Sequence, residues 1–162
     1  MPEQKIEDFI LEVLTGDTQK FALEFVAYLR TNEMLFERCC NGYWEDKLYW
    51  FVKYQNQYVC FILLDGYEKG HWVIWSDDSD SNCFEDFPLD EHIRKVAWEN
   101  VDFCINCGNN CSSGENKTIF GKQFSNVCRT TMRFDNPDAD ELDCLKKVVS
   151  IRKISIDNPR LL

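Results

Sequence analysis

Histidine is scarce in this chain, with 2 residues in 162, which limits the supply of general bases that titrate near neutral pH. Long apolar runs are missing too. The longest, Val59 to Leu64, falls far short of a bilayer span, and with 28% charged residues the composition points away from a membrane protein. Met1-Pro2-Glu3-Gln4-Lys5 shows no basic stretch leading into an apolar one, so no secretory signal is expected and the expected location is cytoplasmic. Positive charge is in the minority: 18 Lys and Arg against 28 Asp and Glu leave a formal net charge of −10. Nucleic-acid binding needs cations that displace phosphate counterions, so no nucleic-acid partner is expected. The one basic cluster, Lys146, Lys147, Arg152 and Lys153, reads as a solvated helix face with cations near its C-terminus, where the helix dipole favours them. The glycine patterns of nucleotide sites and the Gly-x-Ser-x-Gly of a nucleophile elbow are absent, and the spacing of Gly114, Lys117, Gly121 and Lys122 fits no phosphate loop. No repeat or low-complexity linker divides the chain. One domain is expected over residues 1–156, with a loose tail at 157–162.

What is present begins with helical periodicity. Ile6, Phe9, Ile10, Val13 and Leu14 make one amphipathic stretch, and Gly16 breaks it. Asp17 or Thr18 then caps a second helix whose buried stripe is Phe21, Ala22, Phe25, Val26 and Leu29. From Leu48 to Ser76 the pattern changes to strands: Leu48 to Tyr54, a Gln55-Asn56-Gln57 turn, Tyr58 to Leu64, an Asp65 to Gly70 turn, and Trp72 to Trp75. Sequential hairpins make an antiparallel meander. Both faces of these strands are apolar, because Trp50, Val52 and Tyr54 alternate with Tyr49 and Phe51. A sheet with one wet face would alternate apolar and polar residues, so helices, a partner chain or a ligand must cover the second face. Asp77 to Asp86 reads as an exposed acidic loop, and Asp77, Asp78 and Asp80 lack the glycine and terminal Glu of an EF-hand. Pro88 opens a helix to about Glu99, Thr130 to Phe134 is a short strand, and Asn136 with Pro137 starts a last helix through Leu142, Leu145, Val148, Val149 and Arg152. The expected fold is α+β: an antiparallel meander sheet of about three to five strands packed with about four helices.

The candidate chemistry lies in Cys104, Cys107 and Cys111, with Cys128 following later. Two thiolates three positions apart can share one ion across a tight turn, and Gly108 lets backbone N–H groups approach the sulfurs. Four sulfurs suit tetrahedral zinc in a structural role. Cys128 is favoured as the distant ligand, and Cys111 is the alternative bystander. His92, on a predicted helix, and His71, at a strand start, are expected to be ordinary surface or core-edge residues. Cys60 and Cys144 read as small buried hydrophobes. The vicinal pair Cys39-Cys40 reads as packing, since neighbouring cysteines bridge only with strain. Nine cysteines without an export signal point to metal or redox chemistry rather than a disulfide framework.

Aromatic residues surround the predicted sheet: Trp44, Trp50, Trp72, Trp75 and Trp98 with Tyr43, Tyr49, Tyr54 and Tyr58. They can fill a core, make a dimer interface, or line a pocket. Trp50, Tyr54, Trp72 and Trp75 are the candidate pocket residues. The strand pair Trp50-Phe51-Val52-Lys53-Tyr54 and Tyr58-Val59-Cys60-Phe61-Ile62, the segment Met132-Arg133-Phe134-Asp135-Asn136-Pro137, and the helix Leu142 to Arg152 together resemble small bacterial proteins of the YdhG and YjbR type. The resemblance implies an α+β domain and carries no catalytic motif. The cysteine-rich segment 104–128 departs from it. The reading that follows is a non-enzymatic, zinc-stabilised binding or interaction module with a protein, small-molecule or second-copy partner. The alternatives are a thiol redox enzyme or sensor using Cys104 and Cys107, and a small-molecule binder using the aromatic sheet face.

Overall fold

Apolar residues three and four apart make two of the N-terminal helices lie flat on a core. In the computed structural model, which describes residues 4–39, 42, 45–77, 82–105 and 114–158, α1 (Ile6–Val13) buries Ile6 and Ile10. Helix α2 (Gly16–Thr31) buries Ala22, Phe25, Val26 and Leu29. The helix already begins at Gly16, so Thr15 rather than Asp17 or Thr18 holds the cap position, without a side-chain hydrogen bond. Strands β1 (Leu35–Arg38), β2 (Leu48–Tyr54), β3 (Gln57–Leu64) and β4 (Trp72–Ser76) follow as an antiparallel meander. Gln55 and Asn56 link β2 to β3 with φ of 48° and 63°, the left-handed pair of a type I′ hairpin turn.

Helix α3 (Glu91–Glu99) starts later than Pro88, because the Asp90 carboxylate accepts the Ile93 N–H at 3.0 Å and caps it there. Strands β5 (Val101–Phe103), β6 (Glu115–Ile119) and β7 (Lys122–Asp135) lead to α4 (Ala139–Asp157). Asn136 does not cap α4. It is in the left-handed region at φ 47°, and its N–H closes onto the Trp72 carbonyl at 2.8 Å. Asp138 takes the cap in a reciprocal pair with Glu141. The last helix therefore runs through Asp157, into the expected tail, whose residues 159–162 lie outside the described residues.

The fold is α+β with four helices and an open antiparallel sheet of seven strands among the described residues, in the order β1-β2-β3-β4-β7-β5 with β6 also paired to β7. The sequence reading expected fewer strands. β5 and β6 are short, β6 is polar (Glu115-Asn116-Lys117-Thr118-Ile119), and the first half of β7 is polar as well. None of these shows the apolar alternation that marks a strand.

All four helices pack on one face of the sheet. Their core joins Ile10, Phe25, Leu29 and Leu145 to Trp50, Ile62, Trp72, Ile74 and Phe134. Phe25 and Trp72 meet with ring centroids 6.0 Å apart. Burying each such side chain contributes about 1.5–3 kcal/mol relative to exposure. On the opposite face the strands build a second apolar layer from Cys39, Tyr49, Leu63, Val73 and Trp75, with Phe51 and Phe61 against it. The turn after β3 folds over this layer, and Gly66 sits where a Cβ would meet the Leu63 side chain at 2.4 Å. Asp77, Cys83 and Phe84, in the segment expected to be exposed, are buried, and the Phe84 carbonyl accepts the Phe120 N–H at 2.6 Å. Asp78 and Asp80 lie outside the described residues. Among the described residues no helix is long and apolar enough to cross a membrane.

Candidate functional site

Side-chain direction on β7 changes partway along the strand. Strand residues alternate between faces, so Cys128 and Thr130 share one face. Thr131 then adopts φ 75°, a costly conformation for a β-branched residue, and it is fully buried. The extra residue shifts the alternation. Met132 and Phe134 enter the helix-side core, while Arg133 joins Cys128 and Thr130 on the helix-free face. Ser76 bridges the interruption: its hydroxyl donates to the Thr130 carbonyl at 2.6 Å and accepts the Met132 N–H at 3.1 Å. The Lys117 ammonium donates to Thr131 Oγ1 at 2.7 Å.

This shift creates a groove of about 300 Å³ on the helix-free face. Its floor is Tyr49, Phe61 and Trp75. Tyr67, Arg133, Asp102, Cys104, Cys128 and Thr130 also line the groove. Phe51, Phe61, Trp75 and Arg133 are direct cross-strand partners in sequence across β2, β3, β4 and β7. Tyr49 and Phe61 stack with an interplanar angle of 2°, and Tyr49 meets Trp75 edge-on at 6.2 Å. The Arg133 guanidinium lies 5.0 Å from the Tyr67 ring centroid and 5.4 Å from that of Trp75. Such stacking is favourable and fixes the guanidinium plane, and Nε is tied to Asp135 Oδ1 at 2.9 Å.

Asp102 is half-buried on β5. Burial raises its carboxyl above the ordinary value of 3.8, and the charge of Arg133, the Thr130 hydroxyl and the Cys128 thiol pull it back down. The Thr130 hydroxyl donates to Asp102 Oδ2 at 3.3 Å. Burial also raises the Tyr49 phenol.

Cys104 and Cys128 both line the groove. Phe103 pairs with Val127, the Cys104 N–H donates to the Asn126 carbonyl at 2.8 Å, and the Asn126 amide donates back to the Cys104 carbonyl at 3.1 Å. Both cysteines are half-buried. A Cβ on Gly114, where the chain returns toward β6, would lie 2.8 Å from Cys104 Cβ. Cys107 and Cys111 lie outside the described residues, as do Cys40, Tyr43 and Trp44. Among the described residues no group of three or more His, Cys, Asp or Glu is arranged to hold a metal ion. The donor chemistry of Cys104 and Cys128 nonetheless suits zinc, which takes thiolate sulfur at about 2.3 Å.

The proposed pocket residues divide between the two faces. Trp50, Tyr54 and Trp72 are buried on the helix side, where the Tyr54 hydroxyl donates to Asp157 at 2.8 Å, and Trp75 lines the groove. Trp72 and Trp75 are three positions apart on one strand, an odd offset that must place them on opposite faces. Asp102 and Arg133 were not singled out from the sequence. No motif marks them, and the Thr131 bulge hides the parity of Arg133. His92 is an exposed residue of α3 facing Asp140 at 3.7 Å, and His71 faces Glu68 at 3.2 Å. The basic cluster is not one solvated face. Arg152 is buried and donates to the Tyr58 carbonyl at 3.0 Å, while Lys146 pairs with Glu24 at 3.2 Å. Cys60 and Cys144 are buried as expected. Burial pushes the Cys144 thiol up to about 12 and raises Cys60 as well.

The chain matches no family model, no curated protein and no solved structure. The resemblance to proteins of the YdhG and YjbR type is an expectation from the sequence alone.

Proposed function

We propose that this chain is a zinc-stabilised binding module in which Cys104, Cys107, Cys111 and Cys128 hold one structural ion beside the aromatic groove. The observation that supports this reading is that Cys104 and Cys128, 24 positions apart in the chain, line the same groove, with the other two cysteines following Cys104 closely in sequence. A set of four protein sulfurs is closed to water and contributes to folding rather than to catalysis. The groove beside it is the place for a ligand or partner, and the expected setting is the reducing cytoplasm, where thiolates are kept available.

The test is the metal content of the untagged protein, with thiols counted before and after chelation. About one zinc per chain is expected, and Cys107→Ser should release it and lower the melting temperature. Metal-free protein that is fully folded and as stable as the metal-loaded form defeats the reading. A reversible Cys104–Cys107 disulfide in that protein would favour thiol redox chemistry instead.

A further inference from the structure

We propose that the groove on the helix-free face binds a small zwitterion with a flat apolar body, of the aromatic amino acid class. The ammonium group lies at Asp102, the carboxylate at Arg133, and the ring against Tyr49 and Phe61. The proposal goes beyond the zinc reading and uses only side chains that line the groove, with no part for a metal.

The argument starts from charge. Asp102 on β5 and Arg133 on the neighbouring β7 both line one groove of about 300 Å³, which is at the lower end of the size range of small-molecule sites. A ligand carrying only negative charge meets the Asp102 carboxylate and a chain with net charge −10. A ligand carrying only positive charge meets Arg133, which already occupies the faces of Tyr67 and Trp75 at 5.0 and 5.4 Å. An uncharged apolar ligand would strip water from Asp102 and from the guanidinium edge that Asp135 does not hold, and replace it with no hydrogen bond. A molecule with one charge of each sign satisfies both groups.

Geometry supports the same assignment. Arg133 is held flat by two rings, and its Nε is committed to Asp135, so the Nη edge is the part of the guanidinium offered to a carboxylate. The Thr130 hydroxyl donates to Asp102 at a long 3.3 Å, so a carboxylate oxygen retains capacity for an ammonium group. The floor rings are held in fixed stacked and edge-on contacts with one another, and offset or edge-on packing of a further ring on them is favourable.

The experiment uses the full chain with L-phenylalanine as probe, followed by calorimetry and by tryptophan emission. Phenethylamine lacks the carboxylate, 3-phenylpropanoate lacks the amine, and glycine lacks the ring. Saturable phenylalanine binding is expected, with each analogue at least about tenfold weaker. Arg133→Gln should abolish the preference for phenylalanine over phenethylamine. Asp102→Asn should abolish its preference over 3-phenylpropanoate, with both variants verified as folded by circular dichroism. Absence of saturable binding up to about 10 mM phenylalanine overturns the proposal. So do equal affinities for all the ring compounds, or variants that change no preference. Zinc content is measured on the same samples, so discrimination by metal-free protein upholds this site and removes the zinc reading alone.

Discussion

Ser76 supplies through its side chain the hydrogen bond that Met132 cannot take from the backbone of β4, with 3.1 Å between the Met132 nitrogen and the Ser76 oxygen. The same hydroxyl donates to Thr130 at 2.6 Å. One buried oxygen thus closes both sides of the β7 bulge, and the bulge is what turns Arg133 toward the groove.

Ser76→Ala removes that bridge and leaves a buried N–H and a part-buried carbonyl without it. The expected loss is about 1–3 kcal/mol, read as a lower midpoint in urea denaturation. An unchanged midpoint would mean that the hydroxyl does not hold the bulge.

Native cysteine alkylation should divide the thiols by burial. Cys60 and Cys144 are shut in the core and their thiols are raised, Cys144 to about 12. Only the thiolate reacts, so both should stay unlabelled until the protein unfolds. Cys104 and Cys128 are half-buried, and peptide mass spectrometry should find them labelled soon after chelation and slowly before it. Equal labelling rates with and without chelator would count against metal at these two sulfurs.

Asp102 predicts a pH trend. Its folded-state carboxyl holds a proton more tightly than the ordinary value of 3.8 allows, mainly because it is buried. The stability it contributes is present in full below that value and is lost as pH rises through the raised one. Asp102→Asn has no such loss. The melting temperature of the variant relative to the natural chain should therefore climb between about pH 3 and pH 7. A gap that stays flat or shrinks over that range contradicts the burial of this carboxylate.

Strands β2 to β4 of the meander were legible because their signals are local, whereas β1 was not expected. Tyr49 and Trp50 differ in parity, Gln55-Asn56 makes a two-residue turn, and the stripe from Phe21 to Leu29 keeps helical spacing. The apolar character of both sheet faces was legible too, and the structure divides those faces between helices on one side and the aromatic layer on the other. The candidate site was legible only in its cysteines and in Trp75. Arg133 and Asp102 carry no motif, β5 is three residues long, and the bulge at Thr131 breaks the alternation from which a face is assigned. Counting parity within β4 alone would have separated Trp72 from Trp75. Pairing across the sheet, which makes Arg133 a neighbour of Trp75, depends on a chain reversal that no short window contains.

Strand β7 is the mate of β4, β5 and β6 together, and it comes late in the chain. As the protein emerges from the ribosome, the meander stands with the open edge of β4 exposed until residues 133–135 arrive, and the α2 helix waits for α4, whose Lys146 carbonyl accepts the Tyr28 hydroxyl at 3.1 Å. A nascent chain halted before β7 would present a bare, aromatic-rich strand edge, the kind of surface that chaperones shield and that aggregation exploits.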